Sequence, residues 1–452
     1  MFATPAILAL LFFVYIRPQE IVPALNRVPL LYLLVGLSLT GLALDLRLAH
    51  SRLRSNPLLP WAVAHLFWNL VSMAVAARHA IPTYGISLAV AFIIFLVLSQ
   101  GVQTFRALSA TGVGLFAITM IIGLVGLHQS FAPMECVRPA DDNPEVLTPI
   151  GGACVTHEQC EIIHDREEAS CERIGLLGTT SVGQRVRYRG LMQDPNELAL
   201  VGSMAIAFAF ALFELRRSLS RLTLAAATLV IIGIVDVYTR SRSGQLAFLA
   251  ILGVYLLRRL RWLGAVVAGL CALPILLLGG RGGEEAAESS GVRLGYWAAA
   301  IQMARESPLW GVGMAQFTEY QPQTAHSSIM LVLGESGLPG LFFWTALMYI
   351  AIKVTLVVLW EKPGPEAKSA QVWATALLAC LTGFSVSALF LSLTDHYVLW
   401  VLLGLVGSLY AATVRHDPTF RVRFGFKDFL LVTAIDSFLV LAIHFYTRAK
   451  GY

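Results

Sequence analysis

Charge is what this chain lacks. Of its 452 residues, 13% are charged and 57% hydrophobic, with a mean hydropathy of +0.70. A soluble domain carries roughly 25% charged residues, so the polar groups present cannot cover a water-soluble globule of this length, and lipid must cover the remainder. No Lys or Arg precedes the apolar run at 4–16 and no small-residue cleavage site follows it, which predicts a retained first transmembrane helix rather than a signal peptide. No basic surface interleaved with aromatics is present. The net charge of +5 is modest and its Arg residues fall in short clusters between apolar runs, a membrane-topology pattern that excludes nucleic acid as a partner. There is no solenoid-type repeat, and no low-complexity tract beyond GRGGEEAAESSG at 280–291. No Gly-rich phosphate loop, nucleophile elbow or pair of catalytic carboxylates stands out.

What is abundant is apolar runs of spanning length, about 20 residues each. They lie near 4–16, 29–45, 57–77, 82–99, 108–127, 197–214, 219–238, 243–257, 262–279, 340–360, 370–392 and 397–413. These predict an all-α integral membrane protein with about 12 transmembrane helices. The stretch 429–447 contains Asp436 and is read either as a thirteenth span or as an interfacial helix. Four short loops are Arg-rich: Arg47, Arg52 and Arg54; Arg216, Arg217 and Arg221; Arg258, Arg259 and Arg261; and Arg415, Arg421 and Arg423 with Lys427. Counting spans puts all four, with the N-terminus, on one side, expected to be cytoplasmic.

Two long segments then fall outside. Residues 128–190 hold Cys136, Cys154, Cys160 and Cys171. On an oxidising side these read as two disulfides stapling a loop that lacks its own core, with three pairings open. A zinc set drawn from Cys154, His157, Cys160, His164 and Cys171 is the rival reading, and the oxidising compartment argues against it, so no metal is assigned. Cys271 and Cys380 fall inside predicted spans as packing residues. Residues 280–326 begin with the Gly/Glu stretch and continue as an amphipathic helix from Val292 to about Glu306.

Ionisable groups near membrane depth are costly and usually kept for a reason. In RVRYRGLMQDPNELAL, 185–200, Asp194, Pro195 and Glu197 have the spacing of a helix start. If the segment is extended, Arg185, Arg187 and Arg189 point the same way and line one anionic site; the structural alternative is contact with lipid headgroups. In DVYTRSRSGQ, 236–245, Asp236 and Arg240 are four apart and are expected to pair along a helix. Arg242 is flanked by Ser241, Ser243 and Gly244, small residues that let a phosphate approach a guanidinium fork. His326 sits where a helix begins, a place that suits a satisfied boundary His as well as a base. Glu335 precedes SGLPG, a structural turn. Asp395 and His396 form a rival acid/base pair.

The segments RYRGLMQDPNELAL, TRSRSGQLAFL, RLGYWAAAIQMARESPLWGVGMAQF and AHSSIMLVLGESGLPG, in this order, resemble the successive signatures of the O-antigen ligase/polymerase superfamily. The resemblance covers roughly 185–345. It implies a metal-independent, inverting glycan transferase without cofactors. Its donor would be a glycan on undecaprenyl diphosphate, its acceptor lipid A-core or another glycan, with a chain-length regulator as a further candidate partner beside membrane lipids. Arg189 and Arg242 would bind the donor diphosphate and His326 would take the acceptor's proton. Arg187, Arg293, Glu335, Ser241 and Asn196 are the remaining substrate-site candidates. Either Arg187 or Arg189 is the positional match within the triple-Arg run. Ser327 stands where the family often has Asn after the His. Ligase, polymerase and protein O-glycosylation ligase share these motifs; from another class, the alternative is a transporter of an anionic or lipid-linked substrate.

The resulting organisation is spans 1–127, a periplasmic Cys-containing loop 128–190, spans 191–279, a periplasmic loop with an amphipathic helix 280–326, spans 327–414, and a basic C-terminal segment with the extra apolar stretch 415–452. The expected location is the bacterial inner membrane, with the N-terminus cytoplasmic and the active site periplasmic.

Overall fold

The computed structural model describes residues 2–140, 143–164, 169–264, 266–267, 269–270 and 284–452. Among these, eleven helices are long and apolar enough to cross a membrane, and α1 (Ala3–Ile16) is apolar but shorter. The protein is a polytopic, all-α membrane protein. In chain order the long helices are α2 (Leu30–Arg47), α3 (Leu59–Ala76), α4 (Ile86–Gly101), α5 (Phe105–Phe131), α6 (Pro195–Leu215), α7 (Leu219–Thr239) and α8 (Arg242–Leu260). Then come α9 (Glu284–Glu306), which is not one of the eleven, α10 (Ser328–Glu361), α11 (Ala367–Ala388), α12 (Tyr397–His416) and α13 (Phe426–Ala449). The run expected at 262–279 lies largely outside the described residues, as does Cys271.

The chain forms two compact units. One comprises Met1–Leu8, Tyr32–Thr111 and Arg281–Tyr452; the other comprises Ala9–Leu31 and Gly112–Gly280.

In the first unit α12 is central, 89% of its apolar window being buried, whereas α13 is peripheral at 11%. The sequence of α12 is apolar all round, as a fully enclosed helix requires. Its glycines matter because lipid offers no hydrophobic drive to helix association, which then rests on close van der Waals fit between small residues. A Cβ on Gly404 would stand 2.7 Å from Leu98 Cβ, and one on Gly407 2.6 Å from Ser99 Cβ, so α4 is in backbone-close contact there. The carboxylate of Asp45, buried in α2, accepts from Phe2 N (2.8 Å) and Ala3 N (2.9 Å), satisfying donors that α1 leaves orphaned at its start. Two of the Arg-rich loops meet: burial, with Arg415 and Arg52 nearby, holds the Arg54 guanidinium below its ordinary value.

The stretch left open at 429–447 belongs to α13, whose 24 residues make a rod of about 36 Å. Asp428 at its start binds Lys353 Nζ (2.7 Å) and Tyr349 Oη (2.6 Å) of α10, and His444 near its end lies 3.1 Å from Arg305 of α9. By length and composition it is among the helices able to cross a membrane.

In the second unit α6 is central, with 78% of its window buried. Ala199, Gly202, Ala205, Ala207, Ala209 and Ala211 are among its buried residues, and Gly123 of α5 leaves room for Ile232 of α7, 2.7 Å from where a Cβ would stand. At one end Arg258 pairs with Glu214 (3.4 Å), and Arg221 donates to Leu212 O (2.7 Å), so the two Arg-rich loops of this unit also come together.

The Cys-bearing segment departs from expectation. It is a small folded module rather than a coreless loop: strands β1 (Met134–Ala140), β2 (Asn143–Ala153) and β3 (Ser170–Arg173) form an antiparallel sheet in the order β2-β1-β3. Its core is the cysteines themselves with Ala169, flanked by Met134 and Ile150. The pairing is Cys136–Cys160 and Cys154–Cys171. Although the β1–β3 register sets Cys136 opposite Cys171, neither bonds the other; each sulfur is taken by a cysteine outside that strand pair, an outcome that spacing in the sequence does not contain.

Two helix bounds also shift. The helix expected from Val292 starts at Glu284. The span expected at 340–360 starts at Ser328 and is broken at Gly337 (φ 67°, ψ −168°), inside the expected turn.

Candidate active site

In the second unit, Asp194 caps α6 as its spacing predicts, accepting from Asn196 N at 2.8 Å, with Pro195 in the first turn. The preceding residues are extended and alternate as expected: Val186 and Tyr188 are buried, while Arg185, Arg187 and Arg189 are partly exposed. The guanidiniums nevertheless take separate anchors. Arg185 donates to Thr239 O (3.0 Å) and Asn196 Oδ1 (3.2 Å). Arg187 donates to Thr180 O (3.0 Å), and its amide donates to Gln129 Oε1 (2.9 Å). Arg189 donates to the carbonyls of Glu20 and Leu177, leaving Nε buried without a partner.

Burial lowers the Arg187 pKa, opposed by Glu172 and Asp194; burial raises that of Glu172, opposed by Ser181, the Gly183 backbone and Arg187. Tyr188, buried, is pushed up to about 12, and its hydroxyl donates to Ile16 O at 3.1 Å. It is a strut rather than an acid at neutral pH.

These residues meet the second cluster. Val186 N donates to Tyr238 O (3.2 Å) and Arg185 bonds Thr239 O, so the start of α6 and the α7–α8 corner form one structure. Arg240 is the left-handed C-cap of α7 (φ 49°). That turn carries it off the helix face of Asp236, and the expected Asp236–Arg240 pair is not made. Instead Asp236 is buried, with Oδ1 unpartnered. Ser241 caps α8, accepting from Gly244 N at 2.9 Å, and Arg242 is exposed in the first turn. A guanidinium beside a helix N-terminus is a natural place for an anion. Gly244 has a packing role: a Cβ there would overlap Ala199 Cβ and stand 2.9 Å from Asp236 Oδ1. Its smallness brings α8 against α6, which places Arg242.

In the first unit, His326 has left-handed backbone (φ 49°) immediately before α10, a conformation uncommon outside glycine and concentrated at functional sites. Its Nε2 lies 3.1 Å from Gln323 Oε1, and its ring is 6.3 Å from that of Tyr296 on α9. Trp297 Nε1 donates to Ala325 O at 3.0 Å. Arg293 lies three residues before Tyr296 on the same helix, hence on the same face. Ser327 is the N-cap of α10, and Ser328 Oγ bridges Leu391 O (2.8 Å) and Leu393 N (2.9 Å).

Glu335 is buried, accepting from Phe317 N at 3.1 Å, while its own carbonyl accepts from Gly313 N (2.9 Å) and Ser72 Oγ (3.1 Å). It fastens the loop before α10. The pair Asp395/His396 separates. His396 caps α12, its Nδ1 accepting from Val398 N at 3.3 Å, whereas Asp395 lies 3.1 Å from Nε2 of His65.

That second contact was not foreseen. His65 is fully buried in α3 and continues through Asn69 (Nδ1 to Nδ2, 3.3 Å) to Ser336 Oγ (2.6 Å from Asn69 Oδ1). His and Asn at i, i+4 within an otherwise apolar span was the available signal. Gln129, which holds the Arg187 amide, was missed for the same reason. Among the described residues, the group of clustered metal-type ligands is Cys136, Cys154 and Cys160, whose sulfurs are taken by disulfides.

Residues 227–345 match the family model described as O-antigen ligase, a stretch containing Arg242, Arg293, His326 and Glu335 but neither Arg189 nor the Cys module. No curated protein matches the chain.

Proposed function

We propose that the chain, whose residues 227–345 match the O-antigen ligase family, is an undecaprenyl-diphosphate-dependent glycan transferase of the bacterial inner membrane, working on its periplasmic face with a lipid-linked glycan donor and a glycan acceptor. Arg189 and Arg242 bind the donor diphosphate. His326 accepts the proton of the acceptor hydroxyl as that oxygen attacks the anomeric carbon. The bond from that carbon to the diphosphate oxygen breaks on the opposite side, inverting the centre. A sugar hydroxyl is too weakly acidic for His to deprotonate beforehand, so proton transfer accompanies attack. The leaving diphosphate gains charge in the transition state, where preorganised guanidiniums near low-dielectric lipid contribute most. Because Arg forks can take up that charge, the reading calls for no metal ion. Arg293 and Glu335 shape the acceptor side, and Asn196 and Ser241 support the donor side by orienting Arg185 and capping α8.

The observation that carries this reading is the joining of the Arg189 segment to the Arg242 corner through Val186–Tyr238 and Arg185–Thr239, with Arg242 inside the matched family region. The test is complementation of a deletion strain with His326→Ala and Arg242→Ala, reading surface glycan alongside membrane protein level. Normal levels with no mature polysaccharide support the transferase. Single repeats on core then mean a lost polymerase, and carrier-linked long chains a lost ligase. Normal glycan from both variants overturns the site and brings an anion transporter forward.

A further inference from the structure

Arg189 is not alone at its position. Arg17, directly after α1, has left-handed backbone (φ 54°, ψ 56°) and lies within the same unit. Its side chain crosses the backbone of Gly190, the residue after Arg189: a Cβ on Gly190 would stand 2.6 Å from both Cγ and Nε of Arg17. Gly190 itself is left-handed (φ 55°), so two unusual conformations are combined to lay one arginine across the segment carrying another. The two stretches are fastened in register by Tyr188 Oη to Ile16 O (3.1 Å) and by Arg189 to the Glu20 carbonyl. Gly178, also left-handed, sits under the Arg189 guanidinium, 2.9 Å from where its Cβ would be. One carboxylate faces this pair of cations: Glu20 Oε1, 3.1 Å from Arg17 Nη1, with both side chains one-third exposed.

Arg17 at the Glu20 carboxylate and Arg189 at the Glu20 carbonyl bring two cations to one residue; like charges drawn together repel, and left-handed backbone at an Arg adds strain. Such strain persists where the surroundings enforce it, and it clusters at ligand clamps. Arg189 contributes a buried Nε without a partner among the described residues, and Arg17 contributes a fork paired with a one-third-exposed carboxylate, a weak restraint in solvent. The unpartnered Arg189 Nε and the weakly restrained Arg17 fork, both beside Glu20, suit a dianionic group with several oxygens better than a single carboxylate.

We propose that Arg17 and Arg189 together clamp the diphosphate of a polyprenyl-linked donor, with Glu20 holding Arg17 until the diphosphate displaces it. This rests on the donor role of Arg189 given above. Arg17 is then a binding residue of the reaction outside the region matched by the family model, and Glu20 tunes donor affinity by competing for it.

The test uses the purified full chain in detergent, titrated with undecaprenyl diphosphate, undecaprenyl phosphate and phosphatidylglycerol, with ligand-free thermal midpoints as the control for folding. Arg17→Ala is expected to weaken undecaprenyl diphosphate binding by roughly tenfold or more, as loss of a charge-assisted hydrogen bond does. Undecaprenyl phosphate should be less affected and phosphatidylglycerol least, with an unchanged ligand-free midpoint. Arg17→Lys should recover part of the loss. Glu20→Gln keeps Arg17 and releases it, so it should tighten diphosphate binding; it decides the matter if Arg17→Ala fails to fold. Unchanged or weaker binding in Glu20→Gln overturns the proposal. An equal loss of phosphatidylglycerol binding in Arg17→Ala overturns it in favour of a headgroup anchor. If Arg189→Ala and Arg242→Ala lose diphosphate binding while Arg17→Ala does not, the clamp is wrong and the donor reading stands. If none of the three loses binding, the donor reading itself fails.

Discussion

Gly244→Ala tests whether helix packing, rather than room for a phosphate, is what this glycine provides beside Arg242. The added methyl would overlap Ala199 Cβ and approach Asp236 Oδ1 to 2.9 Å and Ser241 Oγ to 3.1 Å. Carbon atoms settle at about 3.5–4.0 Å, so the start of α8 must move away from α6 by roughly 1 Å or more. Overpacking of this kind costs about 1–3 kcal/mol. Replacing glycine by alanine within a helix returns about 1 kcal/mol, so the net destabilisation is small, about 0–2 kcal/mol. Catalysis is less forgiving. A displacement of about 1 Å in a positioning group can lower rate by roughly a hundredfold. The variant should therefore reach the membrane, melt within a few degrees of the parent, and lose most glycan transfer. Ala199→Gly removes the opposing methyl, so the double variant Ala199→Gly/Gly244→Ala should recover activity to within a few-fold. The assay is the initial rate of transfer from a carrier-linked glycan in membranes, normalised to protein, with detergent thermal unfolding alongside. Wild-type activity in Gly244→Ala refutes the packing argument; an inactive double variant shows that overlap with Ala199 is not the cause.

Other outcomes follow from the same structure. Removing Cys136–Cys160 or Cys154–Cys171, which close separations of 24 and 17 residues, should cost the module about 3.5 and about 3 kcal/mol on the chain-entropy account, seen as faster limited proteolysis between β1 and β3. Because burial raises Glu172 above its ordinary 4.5, the folded chain keeps that proton to higher pH than the unfolded chain does. Its contribution to stability should therefore fall as pH rises from 4.5 through the raised value, and Glu172→Gln should flatten this slope in a thermal-unfolding series. Gly337→Ala should lose about 3 kcal/mol or more, since only glycine readily adopts such backbone and a Cβ would stand 2.5 Å from Pro308 O and Leu309 O; reduced yield of folded protein in detergent is the readout, and a parent-like melting point would contradict it.

The spans were legible because their signal is local. Twenty apolar residues in a row can do little else, so helices such as α6, α7 and α12 fall within a few residues of expectation. The Asp194 cap was legible for the same reason, the donor and acceptor lying two residues apart. The candidate segments could be named through family resemblance, and their arrangement could not. Spacing alone put Asp236 with Arg240, whereas a left-handed residue at the end of α7 turns Arg240 away.

The sequence by itself thus determined the membrane class, the approximate helices and the residue types available for chemistry, because composition, apolar length and short-range capping depend on neighbours in the chain. Only the tertiary structure decided the disulfide pairing, the fold of the Cys module, the His65–Asp395 contact across 330 positions, and the laying of Arg17 over Gly190 beside Arg189. Each depends on which distant backbones approach within a few ångströms. That follows from sheet register and from glycines that permit close contact, information that no window of the chain contains.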